Sequence, residues 1–371
     1  MNHLIEEQAQ LTELEPLLQS LCDQGGVVAV DTEFLREKTY NAKLCLVQLG
    51  IGEHQYCIDV LKIHNTSILV ELFRAENVLK LFHAARQDLE VILQTLEVLP
   101  KPIFDTQLAA AFCGADMQIG YGGLVQEVTG IELPKTQSRT DWTRRPLSDE
   151  QVKYAGEDVA HLEELYNDGL ENLKQQNKLD WYNAELETYY DESLYIIDPE
   201  TAYKRMSGGM LRIKQQYLLK ALSNWRESAA QERDIPRTWV IRDDKLYDLV
   251  QANVKSEQEI IELGVFGRRS ATYLAPQAMD VIRKTKTGDS VVWRKVEPLT
   301  KSQKSLCSSM MRELSALSTQ HGVAQALLGT RKDIESLYRN RQSKKLLKGW
   351  RETVVGKPLL DFVRSEEGSG Q

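Results

Sequence analysis

Apolar positions in the first hundred residues fall into short runs that alternate between two periods. Val27-Val28-Ala29-Val30 reads as a strand, and residues 43–50 as a second in which Leu44, Leu46 and Gln48 alternate with Cys45, Val47 and Leu49. Gly50-Ile51-Gly52-Glu53-His54 supplies the turn into a third strand at 55–60. Beyond it the apolar spacing lengthens towards 3.6, which predicts helices at 67–74 and 84–96 and leaves strands at 78–82 and 103–104. Asp105-Thr106 is placed to cap a helix over 107–113, and further helices are expected at 121–129, 148–175 and 180–192. A meander that gives way to alternating strands and helices predicts a mixed five-stranded sheet covered by helices, an α/β domain over residues 1–205.

After Ile197-Asp198-Pro199 the β-type runs stop, and Ser207-Gly208-Gly209 reads as the end of a linker. The rest is helical in pattern and carries a weak internal repeat. Residues 211–286 and 299–364 each begin with a long amphipathic helix, then pass through a loop into Arg242-Asp243-Asp244 or Arg331-Lys332-Asp333, which opens a helix bearing Tyr247 or Tyr338. Two all-α helical-bundle domains are therefore expected, at 211–290 and 298–368.

Composition narrows the class. With 371 residues, 42% hydrophobic and 27% charged, the chain can bury several cores, and a disordered or fibrous protein is excluded. No run approaches eighteen apolar residues and the N-terminal segment is acidic, so neither a membrane span nor a secretory signal is expected, and the location should be the cytoplasm. Five cysteines without a C-x-x-C pair argue against disulfides and zinc. The net charge of −8 averages two unlike halves: residues 1–205 hold 17 Lys and Arg against 35 Asp and Glu, and residues 206–371 hold 29 against 19. A basic half joined to an acidic one suggests a polyanion-binding module tethered to a site that holds cations; the plain alternative is charged, solvated helix faces.

Acidic residues give the site its candidates. In an extended chain, residues two apart share a side, so Asp31-Thr32-Glu33 aims two carboxylates at one spot. Asp88 heads the helix after the 78–82 strand, and Tyr154 and Asp158 share a helix face at i, i+4. Each piece alone is a common surface feature; the set, at strand and helix ends of one domain, is not. Carboxylates gathered without basic partners call for divalent cations, and hard oxygen ligands favour Mg²⁺ or Mn²⁺. Two such ions about 3.5 to 4 Å apart clamp the attacking and leaving oxygens of a phosphodiester displacement.

These segments resemble the three motifs of the DEDD superfamily of 3′-to-5′ exonucleases, in its tyrosine variant, with a ribonuclease H-like fold. Phe104-Asp105-Thr106-Gln107, Ser138-Arg139-Thr140-Asp141-Trp142 and Arg145-Pro146-Leu147 extend the likeness, and the whole chain resembles the bacterial ribonuclease D family, its two helical repeats being similar to HRDC domains. The resemblance implies that Asp31 bridges both metals, that Glu33 and Asp158 complete the site of the water-activating ion, that Asp88 holds the second ion through water, and that Tyr154 orients the attacking water. Phe34 then packs against the terminal base or is a core aromatic, and His83 is a hydrogen-bonded neighbour of the site rather than a ligand. Lys135 and Arg139 are candidate phosphate contacts; the alternative, Arg139 and Asp141 tying down a loop over a buried Trp142, is compatible with that role. The implied activity is a metal-dependent exoribonuclease trimming 3′ ends of structured RNA such as tRNA precursors, working as a monomer without a membrane. A DNA exonuclease and an inactive nucleic-acid-binding scaffold are the alternatives. No G-x-x-x-x-G-K-[ST] loop is present, so no helicase is expected.

Overall fold

The computed structural model describes residues 1–134 and 140–368. Six strands form one sheet: β1 (Asn2–Ile5), β2 (Gly26–Leu35), β3 (Lys43–Ile51), β4 (His54–Ile58), β5 (Val78–Phe82) and β6 (Ile103–Asp105), in the order β1-β4-β3-β2-β5-β6. The sheet is mixed, with β3 and β4 antiparallel and the β1–β4, β2–β5 and β5–β6 pairs parallel. The expected five strands omitted β1. Its four residues, Asn-His-Leu-Ile, show neither alternation nor a β-branched run, and they become a strand only by pairing along the edge of β4, Asn2 opposite Gln55 through Ile5 opposite Ile58.

Helices follow in chain order: α1 (Gln8–Gln24), α2 (Ser67–Arg74), α3 (Arg86–Leu96), α4 (Thr106–Phe112), α5 (Tyr121–Thr129), α6 (Asp149–Ala160), α7 (Leu162–Gln175) and α8 (Leu179–Leu186). The single helix expected over 148–175 is broken at His161, and β2 runs on past Val30 to Leu35, so Asp31 and Glu33 lie within a strand rather than at its end. The sheet meets α6 closely at Gly50: a Cβ there would lie 2.9 Å from the Ala29 Cβ and 3.0 Å from the Val159 carbonyl. Only glycine lets the helix carrying Tyr154 and Asp158 come down onto β2 and β3.

Packing divides the chain into two units that do not follow chain order. One comprises Met1–Phe34, Leu44–Glu192 and the segment from Leu299 onward; the other comprises Leu35–Lys43 and Ser193–Pro298. The second unit holds α9 (Ile213–Glu232), α10 (Arg237–Val240), α11 (Asp243–Ala252), α12 (Glu257–Glu262) and α13 (Arg268–Lys284) around Leu219, Leu222, Leu246, Leu249, Ile260 and Leu274. Tyr40 packs against this core, its hydroxyl donating to Glu227 and its backbone N–H to Asp234 at 3.0 Å. The C-terminal segment, α14 (Lys301–His321), α15 (Gln325–Leu328), α16 (Arg331–Asn340) and α17 (Lys357–Gly368), repeats the order long helix, single turn, ten-residue helix seen in α9 to α11.

Within the first unit, that segment is seated on the α4 and α8 region by specific groups. Trp350 stacks on Trp181 with centroids 5.1 Å apart and meets Phe112 edge-on, Arg351 pairs with Glu185 at 2.6 Å, and the Ala324 N–H donates to the Ala111 carbonyl at 2.8 Å. Lys178 closes the joint. Its buried ammonium donates to the carbonyls of Phe112 (2.8 Å) and Gly322 (2.7 Å) and to the Gln176 side chain (2.7 Å). Lys178→Met leaves the buried Phe112 carbonyl unpaired, while half-buried Gly322 can turn to water, and is expected to destabilise this unit by about 2 kcal/mol, read by urea unfolding through the fluorescence of Trp181 and Trp350. An unchanged unfolding midpoint would mean that the carbonyls find other partners.

Candidate active site

Asp31 and Glu33 lie two apart on β2 and so face one side, where α6 brings Tyr154 and Asp158. These four, with Thr32, His83 and Tyr121, line a cavity of about 240 Å³. Carboxylate oxygens of Asp31, Glu33 and Asp158 all come within 4.8 Å of one another. Asp88, in the first turn of α3, stands behind them, buried, and accepts a hydrogen bond from the Thr32 hydroxyl at 2.5 Å. Phe34 continues β2 next to Glu33 but is not among the cavity's lining residues. Lys135 and Arg139 lie outside the described residues.

Turns and caps hold the carboxylates in place. Asp105 is the N-cap of α4, accepting from the N–H groups of Gln107 (3.0 Å) and Leu108 (3.1 Å). It also accepts from Ala84 (3.1 Å) and Ala85 (3.0 Å), which fixes the turn into α3, where Ala84 takes a left-handed φ of 61°. One carboxylate thus sets two helix starts and, through the second, the place of Asp88. His83 has both nitrogens engaged, Nδ1 with the Thr106 hydroxyl at 2.9 Å and Nε2 with the Ile119 carbonyl at 3.0 Å. A carbonyl only accepts, so Nε2 carries the proton; burial lowers the ring's pKa and keeps it neutral, which leaves no nitrogen for a metal.

Three supporting residues, Tyr121, Trp142 and Arg145, have contacts that no spacing in the sequence announces. The Tyr121 hydroxyl accepts from the His161 N–H and donates to the Glu157 carbonyl, both at 3.0 Å. Those two backbone groups are four residues apart and would bond each other in an unbroken helix, so the phenol is inserted into the ladder and separates α6 from α7 just after Asp158. Trp142, almost fully buried, packs its ring 6.3 Å from that of Tyr154. Arg145 anchors the Trp142 loop: its guanidinium pairs with buried Asp59 and donates to the carbonyls of Trp142 (2.7 Å), Arg144 (2.8 Å) and Cys45 (3.1 Å). Arg145 therefore spends its charge inside the protein, where with Asp59 it ties down the loop that carries Trp142.

Charge is the unresolved quantity in this cavity. Burial first, then the Asp158 charge, raises the Asp31 carboxyl well above its ordinary range, and burial with Asp31 does the same to Asp88. Glu33 is pushed up to about 10 by burial and by the charges of Asp31, Asp158 and Asp88. Asp158 is pushed up to about 7 by burial, against the hydrogen bond from Tyr154 that stabilises its ionised form. Among the described residues no ion pair involves any of the four. Clustered oxygens, hard donors and absent counter-charge fit a divalent cation held by Asp31, Glu33 and Asp158.

A family model described as a 3′-5′ exonuclease matches residues 2–173, and one described as an HRDC domain matches residues 215–282. The ribonuclease D of Granulibacter bethesdensis is 34% identical over 348 residues, covering 91% of this chain and 88% of that one. That of a Jannaschia species is 35% identical over 354 residues, covering 91% and 90%. The crystal structure of Escherichia coli RNase D, an exoribonuclease involved in structured RNA processing, superposes with a TM-score of 0.85 at 27% identity, covering 98% of this chain and 99% of that one.

The raised carboxyls make a pH prediction. A carboxyl whose folded pKa exceeds its unfolded value of about 4 gives stability that is full below that pH and is lost as pH rises through the folded value. Asp158 at about 7 and Glu33 at about 10 set the window. In chelator the melting temperature is expected to fall steadily from about pH 5 to 9, and excess Mg²⁺ to remove most of that slope. A melting temperature in chelator that is flat across the range would contradict the raised carboxyls.

Proposed function

The chain belongs to the ribonuclease D family and is a 3′-to-5′ exoribonuclease, and we propose that it trims structured RNA such as tRNA precursors one nucleotide at a time, releasing nucleoside 5′-monophosphates. The activity is divalent-metal dependent and the protein binds RNA. The observation that carries the finer reading is the set Asp31, Glu33 and Asp158, its oxygens within 4.8 Å and without a counter-charge among the described residues. In this reading two Mg²⁺ or Mn²⁺ ions are held by Asp31, Glu33 and Asp158 directly and by Asp88 through water. Bound ions of this kind lower the pKa of water and offset charge on the departing oxygen.

Tyr154 orients the attacking water. Its hydroxyl bonds Asp158, and burial with the nearby carboxylates raises its pKa, so the phenol keeps its proton at neutral pH and acts as an oriented donor and acceptor rather than as a base. Phe34 and His83 line the approach of the terminal nucleotide, with Lys135 and Arg139 as phosphate contacts. The working domains are residues 1–205, 211–290 and 298–368. The basic helical domains hold the body of the RNA through phosphate contacts, with Arg268, Arg269 and Arg283 on α13 exposed for that task. The protein acts as a cytoplasmic monomer; among the described residues no helix is long and apolar enough to cross a membrane.

Product analysis of 5′-labelled single-stranded RNA with Mg²⁺ tests this reading: a ladder shrinking from the 3′ end, abolished by chelator, is expected. Asp31→Ala and Asp158→Ala should each abolish hydrolysis while RNA retention on filters stays near that of the unchanged protein, and turnover by either variant would refute the site. Tyr154→Phe should lower kcat by about 10²-fold with KM for RNA nearly unchanged; a loss confined to KM would place the tyrosine in binding instead.

A further inference from the structure

Gln48, in the middle of β3, is wholly buried, yet neither atom of its amide has a hydrogen-bond partner among the described residues. Buried amides are almost always paired, because an unpaired one forfeits its water contacts and receives nothing in return. A leucine or methionine would fill the same space without that penalty. The position of the amide explains its use.

Gln48 stands directly across from Cys57 of β4, so their side chains share a face of the sheet. That face is the one under α6: the Cys57 thiol reaches the Val152 carbonyl at 3.8 Å, and two residues along β3 from Gln48 the Gly50 position touches the Val159 carbonyl and Ala29. Cys57 also feels the charges of Asp158 and Asp31, which add to burial in raising its thiol. In the strand order β4-β3-β2, Cys57 of β4 lies on one side of Gln48, and β2, whose Ala29 and Asp31 share one face, lies on the other. The amide is therefore closed off from solvent on the face packed under α6, one strand away from the strand that carries Asp31.

We propose that Gln48 is a positioning residue for Asp31: its amide N–H donates through one enclosed water to the Asp31 carboxylate and turns that carboxylate to face the cation. The inference rests on the metal-holding site proposed above. The donor holds Asp31 in one orientation and spares the bound cation from ordering it.

The test uses the full chain with Gln48→Met, volume-matched and flexible, and Gln48→Leu as a second variant. Three quantities are read: melting temperature in chelator, Mn²⁺ binding by electron paramagnetic resonance, and kcat against KM on a short RNA. A positioning role predicts a melting temperature in chelator equal to or above that of the unchanged protein, because an unpaired amide has been removed. It also predicts Mn²⁺ affinity weakened by about tenfold and a kcat that falls while KM holds. Mn²⁺ affinity equal to that of the unchanged protein in either variant would overturn the proposal. So would a lowered melting temperature in chelator in both variants with Mn²⁺ affinity unchanged, which would assign the amide to the core. Failure of the unchanged protein itself to bind Mn²⁺ would instead remove the metal-holding site, and the inference with it.

Discussion

Like charges repel, and the exonuclease part of this chain is built around three carboxylates held with their oxygens within 4.8 Å of one another. At ~4 Å and an effective dielectric of about 20, each ionised pair costs about 4 kcal/mol. Three such pairs approach ~12 kcal/mol, which is the scale of a whole domain's net stability of about 5–15 kcal/mol. The cluster can persist only with protons or cations on it, and only on a scaffold too stiff to let it spread. The scaffold is visible in the close approach of α6 at Gly50, in the four N–H groups gathered by Asp105, and in the phenol of Tyr121 driven between α6 and α7.

Other buried charges in the protein are dealt with internally, which makes the cluster an exception. Lys80 is wholly buried, with its ammonium donating to the carbonyls of Ala75, Val78 and Lys101 at 2.6 to 2.9 Å. Arg145 is matched by Asp59, and Arg226 by Asp243 and the Ile241 carbonyl. Each of these is a charge with its partners supplied by the chain. The carboxylates of β2 and α6 have none among the described residues, which is the setting that a cation from solution fits.

What the sequence revealed depended on how far apart the partners lie. Asp31 with Glu33 and Tyr154 with Asp158 are local pairs, set by strand alternation and helical periodicity, and both were legible. So were the meander of β3 and β4 and the repeated order of the C-terminal helices. Arg145 and Asp59 are 86 residues apart, and Tyr121 reaches groups 36 and 40 residues away, distances over which no period links them. Strand β1 needed β4 before it could exist, and the break at His161 needed Tyr121. Gln48 was legible as one more position in an alternating strand, but its unpaired amide was not, because partners are a property of packing. The assignment of Leu35–Lys43 to the helical unit depends in the same way on Tyr40 meeting Glu227 and Asp234.

The order of synthesis gives the joint at Lys178 a meaning of its own. Lys178 and the Gly322 carbonyl that it grips are 144 residues apart, and ribosomes add about 5–20 residues each second. For on the order of ten seconds, the Lys178 ammonium and the Trp181 face of each new copy therefore wait for a segment not yet made. A copy cut short by a premature stop never receives that cover. Its bare Trp181 ring and stranded ammonium distinguish it from a chain that runs past Gly322 and Trp350.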